Sequence, residues 1–406
     1  MLASKFHFNP LGFWATNTTM NNSLDKALLP AGMQDGLPPE AAMEAEAIQS
    51  LMNVFISWGY QRVKPPLLEF EENLLGGIGQ ALSEEAFRLQ DPASRRMMAL
   101  RPDQTPQVAR IAGSRMSRSP RPLRLAYSGE IVRVRGSQIR SERQFAQVGA
   151  EIIGADTLKA DVEVVLMALD ALEAAGIGDI TVDLGLPTLV ATIIKDTAID
   201  ADTTAALRCA LDRKDIAEVT ALEKQIGKNQ TATISGLVDA VGPAVNAMKK
   251  LKSLSLTKDA KEMIDGLSQV IDGILSQRPD ASLTIDAVEN RGFEYHTGVT
   301  FAFFSKSSRG ELGRGGRYQT DFGPAVEQAS GLTLFMDTIL RALPSDKSKD
   351  IILLGPKTSR NEAIKLRSEG WIAIQQLDDR AKPEIEAKRL GCSHVFTNAK
   401  ITKIKK

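Results

Sequence analysis

The residues best placed to hold a small molecule are Gln147 and Glu151, which flank Gly149 in the stretch RQFAQVGAE. Side chains alternate along a strand, so Phe145, Gln147, Gly149 and Glu151 share one face and Ala146, Val148, Ala150 and Ile152 the other. The second set is apolar and suits a core. The first puts an amide and a carboxylate on either side of a glycine, leaving room for a ligand to lie against the backbone between them. In LRPDQTPQVAR, Asp103 and Thr105 stand in a loop between a strand end and a helix that starts near Thr105-Pro106. There they can reach a pocket or cap the helix. A glycine-punctuated loop, NRGFEYHTG, gathers Arg291, Glu294, Tyr295 and His296; an Arg-Gly pair by itself marks a surface turn. RGELGRGGRY adds glycines beside Arg314 and Arg317, backbone suited to close packing on a ligand or on neighbouring strands.

The elements that must carry these residues can be read from periodicity. Leu123 to Arg135, rich in β-branched residues, Leu and Tyr, reads as two adjacent strands; Gly136-Ser137 starts a polar hairpin, and Phe145 to Ile153 is a third strand. Upstream, a helix is predicted over 35–59. Pro38 and Pro39 open it, Ile48, Leu51, Met52, Phe55 and Ile56 form its apolar stripe, and Gly59 caps it. Tyr60 to Lys64 is a strand ended by Pro65-Pro66, and Arg88 to Arg101 a short hairpin. Thr157 to Ala175 is an amphipathic helix, followed by a strand at Ile180 to Leu184. From Thr188 to about Ser276, helical periodicity with few strand signals predicts an inserted helical module with a solvated, mixed-charge surface. Leu283 to Val288 returns to strand, and Ala329 to Leu343 is a strand passing into a helix. After Asp350 the pattern spells β-α-β-α-β, a small parallel or mixed sheet.

These stretches resemble a known family. RQFAQVGAE and NRGFEYHTG are similar to the histidine-type motifs of histidyl-tRNA synthetase, a class II enzyme. GYQRVKPPLLE resembles motif 1 of that class, RGELGRGGRY the family's AGGRYD element with Gln319 in place of the aspartate, and Ala329 to Leu343 stands in the place of motif 3. Two departures stand out. Arg133 is followed by Val134, Arg135, Gly136 and Ser137, where catalytic synthetases carry a basic loop with His and Glu. GLTLFMDTIL puts Asp337 and Thr338 where glutamate and arginine are expected, and Phe335 where glycine is usual. Adenylation needs cations to clamp ATP while charge develops on the transferring centre, and Thr338 cannot do what arginine does. A histidine pocket kept and an activating site lost are the combination found in ATP phosphoribosyltransferase regulatory subunits, which the chain resembles from Ala27 to about Leu343.

That resemblance implies an α+β fold: a class II synthetase-like antiparallel sheet with flanking helices over 25–345, a helical insertion at about 188–276, and a shortened anticodon-binding-like α/β domain over 350–406. It implies a histidine site in which Asp103, Thr105 and Gln147 hold the ammonium, Arg291, assisted by Arg133, pairs with the carboxylate, Glu151 accepts the imidazole N–H, and Tyr295 lines the ring slot. His296 replaces the family's second tyrosine and is as readily a satisfied core histidine as a contact. The implied role is regulatory and non-catalytic, without cofactor: the chain would dock on a short-form ATP phosphoribosyltransferase catalytic subunit as a hetero-octamer, form a homodimer through the motif 1 region, bind L-histidine and transmit its feedback inhibition. The alternative is a divergent histidyl-tRNA synthetase that still charges tRNA.

Composition bounds both readings. With 406 residues and 43% apolar content the chain can bury a sizeable core in two or three domains. Fifty basic and fifty acidic residues cancel, so no global field draws it to nucleic acid or an anionic membrane. Cys209 and Cys392 are far apart and read as free thiols in a reducing cytoplasm; three scattered histidines, His7, His296 and His394, argue against zinc. No apolar run approaches the ~20 residues of a membrane-spanning helix. Residues 1–24, with Lys5 as their one basic residue and no acid, read as a disordered tail or an overlong start rather than a transit peptide.

Overall fold

The computed structural model describes residues 28–137, 140–289, 295–323, 325–344 and 350–404; the tail expected over 1–24, and Arg291 and Glu294, lie outside them. The chain forms two compact units, Met1–Leu343 and Pro344–Lys406.

In the first unit the helix Glu40–Ser57 ends where Gly59 takes φ 89°, a conformation glycine adopts without strain. Ala47, Leu51, Met52 and Phe55 are buried, but Ile56, expected in the apolar stripe, is 51% exposed. At about 100° per residue it turns past the arc that Ala47, Leu51 and Phe55 define.

The strands follow in chain order as β1 (Gln61–Arg62), β2 (Leu68–Phe70), β3 (Arg88–Gln90), β4 (Met97–Leu100), β5 (Leu123–Val132), β6 (Gln144–Ile153), β7 (Ile180–Gly185), β8 (Gly242–Pro243), β9 (Ser282–Ile285), β10 (His296–Ser305), β11 (Gly313–Thr320) and β12 (Glu327–Phe335). Nine of them make one sheet in the order β1-β5-β6-β12-β11-β10-β7-β9-β8, while β2, β4 and β3 pair separately. β5 is one strand, not the two adjacent strands expected. Its ladder with β6 runs unbroken from Leu123↔Ile153 to Val132↔Gln144, through Gly129, whose missing Cβ leaves room for the Arg101 side chain.

Register decides which side chains meet. Residues directly opposite in an antiparallel ladder point to the same face. Tyr127 lies opposite Gly149, which lies opposite Thr333, and Thr333 opposite Arg314. One row further, Glu151 faces Gly331 and Gly331 faces Gly316. One sheet face is thus a trough with Glu151 near one end and Phe145 near the other, about 20 Å apart at ~3.3 Å per residue. The opposite face packs on the helices Glu40–Ser57, Leu158–Ala174 and Lys258–Gln277, which share a core with Val148, Ala150 and Ile152. The stretch expected as a helical module holds helices from Leu189–Ile194 to Lys258–Gln277, with the two-residue β8 pairing to β9 between them.

The second unit is a four-stranded sheet, β13 (Ile351–Leu354), β14 (Ile372–Gln375), β15 (His394–Thr397) and β16 (Lys400–Lys403), in the order β14-β13-β15-β16. The last strand, an antiparallel edge, extends the β-α-β-α-β pattern read from the sequence.

Candidate functional site

Glu151 is the centre of the site. Its carboxyl is 1% exposed, and three hydroxyls from three elements surround it: Thr105 Oγ1 and Tyr127 OH each 3.1 Å from Oε1, and Tyr318 OH 2.9 Å from Oε2. Thr333 Oγ1 meets Tyr127 OH at 2.8 Å, and by donating there it leaves the phenol proton for Glu151. Burial opposes ionisation, pushing Glu151 up to about 8 although each hydroxyl bond pulls the other way. The same burial, with Glu151 beside them, raises both phenols, so Tyr127 and Tyr318 stay protonated donors.

Two glycines make this arrangement possible. A Cβ on Gly331 would lie 1.6 Å from Glu151 Oε2, and one on Gly149 would lie 2.3 Å from Tyr127 OH. A Gly331→Ala chain is expected to displace the carboxyl from Tyr318, with a stability loss of about 1–3 kcal/mol as overpacking strain. Urea unfolding checks it, and an unchanged midpoint would show that the carboxyl moves at no cost.

Asp103 and Gln147 form a second polar pair two rows along from Glu151. Gln147 Nε2 donates to Asp103 Oδ2 at 2.8 Å, and Gln147 Oε1 accepts from the Gln104 backbone N–H at 3.2 Å. Asp103 Oδ1 accepts the Thr105 N–H at 2.8 Å. One carboxylate thus joins the first N–H of the helix Thr105–Gly113 to the Gln147 amide. Tyr295 and His296 stack at 4.2 Å and 27°, with the Tyr295 ring edge-on to Tyr318 at 5.7 Å. Thr105, Glu151, Tyr295, His296, Tyr318 and Gly331 are among the residues around a space of about 10 Å³, room for a single water.

Arg133 lies apart from Glu151. Its Nε is 3.1 Å from Glu85 Oε2 and donates to the Pro102 carbonyl at 3.2 Å, next to Asp103. Of the eight residues predicted for the site, the structure gathers Thr105, Glu151, Tyr295 and His296 around one space, joins Asp103 to Gln147 beside it, sets Arg133 on the turn before Asp103, and leaves Arg291 outside the described residues. Sequence reasoning missed Tyr127, Tyr318, Thr333 and Gly331. Tyr127 could have been found by carrying the two-residue alternation back along β5. Arg317, next to Tyr318, is also structural: its Nη2 donates to Asp161 Oδ2 at 2.7 Å, and Asp161, fully buried on Leu158–Ala174, accepts the Ser330 hydroxyl on its other oxygen. That network ties β11, β12 and the helix behind the pocket.

The chemistry offered is recognition. An acidic group among hydroxyl donors, beside an amide–carboxylate pair, can receive a cationic or N–H-bearing ligand and fix its orientation. Among the described residues no group of three or more His, Cys, Asp or Glu could hold a metal ion, and no helix is long and apolar enough to cross a membrane.

Comparison with known proteins adds an independent line. Residues 32–339 match the family model described as histidyl-tRNA synthetase. An ATP phosphoribosyltransferase regulatory subunit of Paramagnetospirillum magneticum is 47% identical over 92% of this chain and 97% of its own length. One from Rhodospirillum centenum is 46% identical over 93% and 96%. Among solved structures, an ATP phosphoribosyltransferase regulatory subunit/histidyl-tRNA synthetase from Bacillus halodurans superposes with a TM-score of 0.78 at 25% identity, covering 91% of this chain and 97% of that one.

Proposed function

The chain belongs to the family of ATP phosphoribosyltransferase regulatory subunits, built on the class II histidyl-tRNA synthetase fold, and from that premise we propose that its pocket binds free L-histidine and passes feedback inhibition to a short-form catalytic subunit. Its role in histidine biosynthesis is regulatory, and the phosphoribosyl transfer belongs to the partner. The observation that carries the ligand assignment is the Glu151 carboxyl, buried and ringed by Thr105, Tyr127 and Tyr318. Such a group suits an imidazole: its proton passes to the ring, and Glu151 accepts the resulting N–H. Asp103, Gln147 and Thr105 take the ammonium, and Arg291, with Arg133 near Asp103, takes the carboxylate. Admission of the ring into a space of about 10 Å³ requires the Tyr295–His296 stack to shift. We assign 25–345 to histidine binding and 350–406 to the shortened anticodon-binding-like domain.

Regulation follows from linkage. Histidine shifts the complex toward one state only by its differential affinity for the two, and the catalytic subunit's ligands feel the same coupling in reverse. The working assembly is a cytoplasmic hetero-octamer with the catalytic subunit. Within it, this chain pairs with a second copy through the motif 1 region, where Ile56 and Leu67 are exposed.

The deciding experiment is phosphoribosyltransferase activity of a purified short-form catalytic subunit, with and without this chain, across a histidine titration. Activity that rises on mixing and falls with histidine is expected. No change on mixing removes the partner assignment; activation without a histidine response removes the sensor assignment.

A further inference from the structure

The sheet of the second unit ends in an open edge. β16 folds back on β15 through Asn398 and Ala399, both left-handed at φ 50° and 58°, a turn whose twist suits an antiparallel pair. It is the outermost strand of its sheet, and all four of its residues are exposed. The ladder fixes which of its backbone groups are in use. The Ile404 N–H donates to the Ser393 carbonyl at 2.9 Å, in step with the pairs Thr402↔Val395 and Lys400↔Thr397. Bonded and unbonded pairs alternate along an antiparallel ladder. Lys403↔His394 and Ile401↔Phe396 are therefore the unbonded pairs, and the N–H and C=O groups of Ile401 and Lys403 point away from β15.

A groove of about 410 Å³ runs beside that edge. Ile385, Lys388 and Arg389 of the helix Pro383–Arg389 line one side of it, and Thr402, Lys403 and Ile404 the other; Glu384 is the one acid among the lining residues. Ala387 of the helix shares a small core with Val395 and Ile404, while Ile385 remains 66% exposed. Arg389 is tied to Glu386 at 2.6 Å. Among the described residues Lys388, Lys400 and Lys403 have no ion-pair partner, and Lys405 and Lys406 follow in the sequence.

These features select an occupant. Outward N–H and C=O groups in a row match another strand; neither a phosphate backbone nor a lipid headgroup offers the same alternation of donors and acceptors. Uncompensated lysines repel a second β16, which is how an edge is protected against its own copies, and they attract carboxylates. Ile385 beside Ile404 gives an apolar side chain a place to lie.

We propose that β16 and this groove are a docking site for an acidic, strand-forming segment of another protein, which adds to the sheet as a fifth strand. The incoming backbone pairs with Ile401 and Lys403. Its side chains alternate, so that apolar ones lie on Ile385 and Ile404 and carboxylates come within reach of Lys388 and Lys403.

Titration of the full chain with three probes tests this: a short capped peptide alternating valine with glutamate, one alternating valine with lysine, and phosphatidylserine vesicles. The glutamate peptide should bind roughly tenfold tighter than the lysine peptide. Residue-resolved amide exchange should show Ile401 and Lys403 becoming protected on binding, with Lys400 and Thr402, already bonded to β15, little changed. Ile401→Pro removes an outward donor without touching a bond to β15, and should weaken the glutamate peptide roughly tenfold. Where the Ile401→Pro chain loses the edge, the double variant Lys388→Glu/Lys403→Glu decides: it should keep β16 and prefer the lysine peptide. Failure of the glutamate peptide to bind, equal affinity for the two peptides, or unchanged affinity in an Ile401→Pro chain that retains β16 overturns the proposal. Vesicle binding without peptide binding, abolished in the double variant, would make the patch a lipid-facing surface and overturn it equally.

Discussion

A Glu151→Ala chain is expected to activate the catalytic subunit as the native chain does while losing its response to histidine. The proposed bond from the imidazole N–H to this carboxyl would be charge-assisted, worth about 1.5–3 kcal/mol, so histidine affinity should fall roughly ten- to a hundredfold. Calorimetry on the free chain and inhibition curves on the complex read this separately; unchanged affinity would remove Glu151 from the site. The pH dependence is specific. With Glu151 pushed up to about 8 and a free imidazole near ~6.5, the pair holds one shared proton between those values. Affinity should therefore plateau there and fall on both sides, and Glu151→Gln should abolish the alkaline limb. A steady rise through pH 8 would instead mean that the ionised carboxylate receives a neutral ring. The same shift acts on stability. An acid raised from 4.5 to about 8 on folding contributes stability that is fully present below 4.5 and is lost as pH rises through 8. Without ligand, Glu151→Gln should show a weaker loss of stability across that window than the native chain.

The second large effect is on folding. Asp161→Ala removes the fully buried partner of Arg317, whose remaining polar contacts among the described residues are the carbonyls of Ala155 and Thr157 and the exposed Asp156 at 3.5 Å. A buried charge left without its partner costs about 3–5 kcal/mol, and Ser330 loses its acceptor as well. Guanidinium unfolding should show a loss of that size. Asp161→Asn preserves the shape and should lose less; a native-like midpoint for Asp161→Ala would mean that Asp156 swings in to compensate. Because Arg317 adjoins Tyr318, histidine affinity should weaken in the alanine chain even where it remains folded.

Much of the site was legible because it depends on a period of two. Gln147, Gly149 and Glu151 alternate along one strand, and the alternation names their face without any tertiary knowledge. Tyr127 and Thr333 obey the same rule, yet which strands lie beside β6 is decided by long-range pairing. β12 joins β6 across nearly two hundred residues of sequence, and no local pattern announces it. Gly331 shows the same limit, since a glycine in GLTLF looks like a strand weakness until the Glu151 carboxyl is placed over it. The β5 stretch went the other way: its local pattern reads as two adjacent strands, and the ladder to β6 makes them one. Arg140 was beyond reach, because its partners Phe335 and Asp337 come nearly two hundred residues later in the sequence.

The pairing of β6 with β12 also has a consequence in time. Glu151 and Tyr127 leave the ribosome early, but Tyr318 and Gly331 emerge only after the whole helical stretch from Leu189 to Gln277 has been made. Pairings of such sequence separation close late in folding. A nascent chain therefore carries a half-built trough with its acidic centre unsheltered, and the pocket is complete only when synthesis has passed Phe335.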